Sequence, residues 1–206
     1  MIECGIPIKR IKKGFDFKMA DVSSCLISHE HGDHSKAVKD IMKSGIDCYM
    51  SEGTKTSLNI SGHRVRVVKS KEAFAIGTFN IMPFGTHHDC SEPLGFLIQS
   101  GDDKLLFATD TYYLKYKFSG LTHIMVESNY SLEYLNENIE SGLVPGAIKN
   151  RIIKSHFEID NLVEFFKSND MSKVKEIHLI HISGNNGNPE EFKKKIQAVT
   201  GKPVYV

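Results

Sequence analysis

The stretch C-L-I-S-H-E-H-G-D-H-S-K-A-V, residues 25–38, decides the reading of this chain. A short apolar run gives way to His29, Glu30, His31, Asp33 and His34, three imidazoles and two carboxylates within six positions. Side chains of an extended segment alternate with period two, so His29 and His31 are expected to point the same way. Gly32 permits a sharp turn, and Asp33 and His34 are expected at a helix start, aimed elsewhere. This spacing gives two separate ligand pairs from one strand-to-helix turn and suits two adjacent metal ions. A single structural zinc would more often show cysteine pairs. An exposed capping turn built on Ser28 or Asp33 would explain those two residues and leave three histidines without a purpose.

The rest of the chain sets bounds. Its 206 residues suffice for one domain, 1–206, with a sizeable core. Hydrophobic content of 40% and charged content of 25% are ordinary for a globular protein. A net charge of +1 provides no global field for nucleic acid or membrane. The basic clusters at 9–13, 64–71 and 193–195 read as solvated faces. The N-terminus lacks the apolar region of a secretory signal, and no apolar run approaches the roughly 20 residues of a membrane helix. Cys4, Cys25, Cys48 and Cys90 are scattered with no CxxC pair, which reads as a reduced, cytoplasmic protein.

Periodicity predicts strands at 23–28, 46–51, 63–68, 72–84 and 94–110, the last a hairpin around 100–104, then at 123–129, 175–183 and 203–206. Helices are expected over 34–45, closed by Gly45, over 52–59, 131–142 and 156–169, and over 188–201 with Pro189 in the first turn. No linker or low-complexity tract interrupts this mixture, so the class is α/β or α+β.

The segment HEHGDH resembles the HxHxDH signature of the metallo-β-lactamase superfamily. The resemblance continues in IECGIPIKRI (2–11), with Glu3-Cys4-Gly5 where the family has Asp-x-Gly, and in GTHHDCSEPLGFLI (85–98), LFATDTYY (106–113), VESNYSLEYL (126–135), IKNRIIKSHFEID (148–160) and LIHISGNNGNP (179–189). Several of these are similar to the bacterial exonuclease-like branch. The resemblance implies an α/β fold, a four-layer αββα sandwich shortened at its N-terminus. It further implies two divalent metal ions, zinc first with manganese, iron or nickel as alternatives. His29, His31 and His88 would hold the first ion, and Asp33, His34 and His181 the second, with Asp110 bridging. His88 is preferred to His87 because it directly precedes Asp89, and His181 to His178 because it sits at the strand's end; His63 and His123 match no motif.

The implied activity is hydrolysis of phosphodiester bonds, most directly in nucleic acid, by metal-bound hydroxide. Asp33 and His156 are the candidate catalytic residues. His156 lies near the metal centre in the phosphodiesterase branches, where it can protonate a leaving alkoxide; alternatively it caps or begins the helix 157–167. A cyclic nucleotide phosphodiesterase, a lactonase or thioesterase, and a non-catalytic binding protein are the other readings. Asp110, where true β-lactamases carry a thiolate, argues against antibiotic hydrolysis. The missing N-terminal sheet would leave an open edge, so a homodimer is expected. Glu3, longer than the usual Asp, is expected to support a ligand histidine less well.

Overall fold

The computed structural model describes every residue from Met1 to Val206. The chain forms two compact units, one of residues 1–85 and 90–95, the other of 86–89 and 96–206.

The first unit is built on three parallel strands, β1 (Ser24–Leu26), β2 (Asp47–Met50) and β3 (Val65–Val67), in that order. Parallel strands must be covered, and the sequence supplies apolar residues accordingly. Cys25 pairs in register with Cys48, and both are fully buried in a core shared with Cys4, Ile27, Ile41 and Met50. The Cys25 thiol is pushed well up by hydrogen bonding to Cys4 and Cys48 and by burial, so it packs as an inert small hydrophobe. Helices α1 (Ile8–Gly14), α2 (Gly32–Ser35), α3 (Val38–Lys43) and α4 (Glu52–Ser57) accompany this sheet. Only Ile11 of α1 is buried, so its lysines form the solvated face expected of them. Helix α3 buries Val38 and Ile41, and the chain leaves it through Gly45 at φ +85°, a conformation that glycine adopts without cost. Ser51 caps α4 by accepting from Thr54 N–H. Strands β4 (Phe74–Ile76) and β5 (Phe79–Gly85) form an antiparallel hairpin.

Strand β6 (Leu94–Ser100) leads into the second unit and turns back at Gly101 into β7 (Asp103–Ala108), the hairpin expected at 100–104. Strands β8 (His123–Glu127), β9 (Glu176–Ile180) and β10 (Val204–Tyr205) continue parallel to β7, in the order β10-β9-β8-β7-β6. Between β8 and β9 lie α5 (Leu132–Glu140), α6 (Lys149–Ser155) and α7 (Ile159–Ser168). Helix α7 buries Ile159, Leu162, Val163, Phe165 and Phe166, each stabilising by roughly 1.5–3 kcal/mol relative to exposure. Helix α8 (Pro189–Thr200) follows β9, capped by Asn188, with proline at its start and Gly201 at φ +65° after its end. No helix is long and apolar enough to cross a membrane.

The N-terminal strap of the first unit is interlocked with the turn quoted at the outset. Cys4 N–H donates to His34 C=O (2.8 Å), and Ala37 N–H donates to Cys4 C=O (2.9 Å). A Cβ on Gly5 would sit 1.5 Å from the Asp33 carbonyl oxygen, so only glycine fits beneath that turn. Gly14 has open space around the same position. Gly5→Ala is therefore expected to destabilise the protein by roughly 1–3 kcal/mol or more, whereas Gly14→Ala stays within about 1 kcal/mol. Urea unfolding of the two variants checks this, and equal midpoints would refute the interlock.

Candidate metal centre

In the first unit, β1 ends at Leu26, so His29 and His31 lie in the loop beyond it. Their convergence comes from that loop and not from strand alternation, which corrects the expectation. His29 is buried, and its Nε2 is 3.1 Å from His31 Nδ1. His34 pairs with Asp33, in a ligand set apart from that of His29 and His31, as the spacing implied. Its ring lies 4.2 Å from that of His29, tilted by 38°. Asp33 turns outward, its side chain 65% exposed and its Oδ2 3.6 Å from His34 Nε2.

Glu3 organises this set. One carboxylate oxygen accepts from Ser28 N–H (2.7 Å), and the other stands 2.6 Å from His34 Nδ1 and 3.2 Å from Ser28 Oγ. The longer side chain therefore reaches its histidine fully, and the expected loss of support is not found. Burial pushes the Glu3 carboxyl up, against the lowering effect of His34. With Nδ1 engaged by Glu3, His34 has Nε2 to offer a ligand.

In the second unit the candidates gather at the C-terminal ends of three adjacent parallel strands, where open α/β sheets bind their ligands. Asp110 follows β7, Glu127 ends β8, and His181 follows β9. Asp110 is buried at φ +45°, and Thr109 Oγ1 donates to its Oδ1 (2.8 Å). His181 Nδ1 is 3.1 Å from Asp110 Oδ1, and His88 Nε2 is 3.3 Å from Asp110 Oδ2. His88 Nδ1 is 2.9 Å from the Ser155 carbonyl, an acceptor only, so Nδ1 carries the proton and Nε2 has a lone pair to offer. Burial lowers the pKa of His88 and favours that neutral form. The neighbouring His87 turns away, its ring 5.6 Å from that of Tyr112. His178 stacks on Tyr205 and reaches Glu176. His123 bonds Thr122, and His63 lines a surface concavity.

His156 does not begin the helix expected at 157–167. It is the C-terminal cap of α6, and α7 starts three residues later because Glu158 caps it, accepting from Asp160 and Asn161 N–H. The His156 ring lies 5.2 Å from that of His88 and 5.6 Å from that of His181.

Sequence reasoning missed Glu127, the residue that holds this half together. Its fully buried carboxylate accepts from Thr111 N–H (2.8 Å) and Phe157 N–H (3.2 Å). The same carboxylate lies 2.6 Å from His156 Nδ1 and 3.1 Å from His181 Nδ1. One potential ligand atom from each of Asp110, Glu127, His156 and His181 falls within 4.8 Å of the others. The only sequence signal was an acid closing the strand H-I-M-V-E after three apolar residues. Imidazole nitrogens and carboxylate oxygens are the donors that zinc, manganese, iron or nickel accept, so the residues of each unit fit a divalent cation.

Glu127→Ala would strand two buried N–H groups and release two imidazoles. The expected cost is about 2–5 kcal/mol in urea unfolding, with metal affinity weakened roughly 10- to 100-fold in calorimetric titration. Glu127→Gln, which keeps one acceptor, should fall between wild type and alanine. An alanine variant with wild-type stability and affinity would remove Glu127 from this role.

The model of the family described as "Beta-lactamase superfamily domain" matches residues 15–182. Exodeoxyribonuclease YycJ of Bacillus anthracis is 25% identical over 214 residues, covering 97% of this chain and 80% of the relative. Exodeoxyribonuclease WalJ of Streptococcus pneumoniae is 28% identical over 203 residues, covering 90% and 74%. The crystal structure of the metallo-beta-lactamase fold protein YhfI from Bacillus subtilis superposes with a TM-score of 0.73 at 14% identity, covering 98% of this chain and 81% of that one. With most of its length inside the family match, and with a mixed α/β fold shared with YhfI, the chain belongs to the beta-lactamase superfamily and is a hydrolase of the metallo-β-lactamase fold.

Proposed function

We propose that the chain is a dinuclear metal-dependent phosphodiesterase that acts on nucleic acid as an exonuclease. The observation that carries this reading is the Asp110–Glu127–His156–His181 cluster at the strand ends. The exodeoxyribonuclease names of two relatives support it. In this reading His29, His31, Asp33, His34, His88, Asp110 and His181 would hold the two divalent ions. Zinc suits that donor set best. When bound, the ions supply activated water at neutral pH and offset charge on the phosphate oxygens.

The chain's own residues do the rest. Glu3 fixes His34, and the Ser155 carbonyl fixes His88, so each presents Nε2. Asp33, the exposed carboxylate of the set, accepts a proton from the attacking water. Glu127 holds His156 Nδ1, which leaves Nε2 to protonate the departing oxygen. A positioned acid of this kind contributes roughly 10²–10⁴-fold for an alkoxide leaving group. A cyclic nucleotide is the second substrate considered, because a net charge of +1 provides no basic track for a long strand.

Elemental analysis of protein purified without chelator should find two metal ions per chain. A chain that takes up none at saturating zinc or manganese defeats the reading. Asp110→Ala and His31→Ala should lose nearly all turnover, and a variant that keeps most of it would show the ligand assignment to be wrong. Parallel assays on single-stranded DNA and 3′,5′-cyclic nucleotides separate the two substrates.

His156→Ala should slow hydrolysis of nucleotide esters far more than that of bis(p-nitrophenyl) phosphate, because nitrophenolate departs without a proton. Equal slowing of both would place His156 on the phosphate instead of the leaving group.

A further inference from the structure

Three consecutive residues of the second unit face three different neighbours. His88, in the middle, reaches Asp110. His87, before it, lies against Tyr112, with ring centroids 5.6 Å apart and planes at 43°, and Tyr112 N–H donates to the His87 carbonyl (3.2 Å). Tyr112 is 40% exposed and stands two positions after Asp110, where solvation alone would favour a polar residue. Asp89, after His88, holds Arg151: Arg151 Nε donates to Asp89 Oδ2 at 2.6 Å, while the arginine side chain stays 69% exposed.

That one bond uses a single donor of the five a guanidinium carries, and it fixes the plane of the fork. The remaining donors suit a phosphate, which arginine binds in bidentate fashion. Ser155, one helical turn beyond Arg151 on the same face of α6, binds His88 through its carbonyl. The element that aims the arginine is therefore the one that orients His88. A half-exposed aromatic pair at the residue before His88 and a bonded guanidinium at the residue after it are the two components by which proteins bind single strands, a stacking face and a backbone cation.

We propose that the His87–Tyr112 pair stacks a nucleobase and that Arg151 holds the phosphate one nucleotide away, so that the substrate is the end of a single strand. This rests on the phosphodiesterase reading above and adds the contacts that would select the strand over a cyclic mononucleotide.

Three short oligodeoxythymidylates test it: one with a 5′-phosphate, one without, and one whose terminal nucleotide is abasic. Wild type should prefer the first over the second roughly 10- to 100-fold, and over the third roughly 5- to 100-fold, mainly through KM. Arg151→Ala should erase the phosphate preference and keep the base preference. Tyr112→Ala should do the reverse, Tyr112→Phe should restore base preference, and Arg151→Lys should recover only part of the phosphate preference.

A wild type that cuts all three alike overturns the proposal, as does a variant that slows all three in proportion. If wild type cuts none, the hydrolytic reading has failed separately. Equilibrium binding of the same strands to the protein as purified then decides, because the same two preferences must appear in Kd.

Discussion

The carboxylate of Glu127 is the point on which the chemistry of the second unit turns. It is fully buried, and its bonds reach three separate parts of the chain: Thr111 after β7, His156 and Phe157 between α6 and α7, and His181 after β9. A buried carboxylate is expensive unless every lone pair is engaged. Here that demand is met only when all three segments are in place. The same group settles which nitrogen each imidazole turns outward. Glu3 does the equivalent for the first unit, joining Ser28 and His34 beneath the turn 28–35. In both units an acid sits behind the histidines and aims them.

The backbone carries the matching strain. Glu3, Asp110 and His181 all have positive φ, at +61°, +45° and +56°. Such conformations cost non-glycine residues roughly 1–3 kcal/mol each. Each is held by bonds that a relaxed backbone would break. Glu3 N–H donates to Leu26 C=O at 2.8 Å, Asn129 Nδ2 donates to His181 C=O at 2.8 Å, and Thr111 N–H, immediately after Asp110, donates to Glu127. The reversal lets Asp110 and His181 leave their strands abruptly and turn their side chains across the strand ends. Stability is given up where the chemistry needs an unusual direction.

How much of this was legible in the sequence follows from how local each signal is. Gly101 and the Asn188-Pro189 pair mark element ends through their own backbone preferences, and the hairpin and the helix they bound stand where expected, whereas the single helix expected over 34–45 is two, Gly32–Ser35 and Val38–Lys43, with Gly45 just past the second. The ligand types in 29–34 were legible because five of them crowd into six positions. How His29 and His31 come together was not, because the strand stops at Leu26 and Ser28 C=O is taken by Leu94 N–H, from far along the chain. His156 was misplaced because Glu158 is an uncommon helix cap, and the preceding helix α6 claims the histidine instead. Glu127 had no partner at a recognisable spacing. Its importance arises from the register of β7, β8 and β9, which no short window contains.

That register also sets an order of assembly. His123 pairs with Glu176 and Glu127 with Ile180, positions more than fifty residues apart with three helices between them. Local contacts in α5, α6 and α7 can form within microseconds, but closing so long a loop spends entropy that only the finished sheet returns. During synthesis, Asp110, Glu127 and His156 all precede β9. Until it docks, β8 is an open edge and Glu127 lacks one of its imidazoles. The cluster of Asp110, Glu127, His156 and His181 is therefore withheld from the growing chain until the segment carrying His181 has been made and docked.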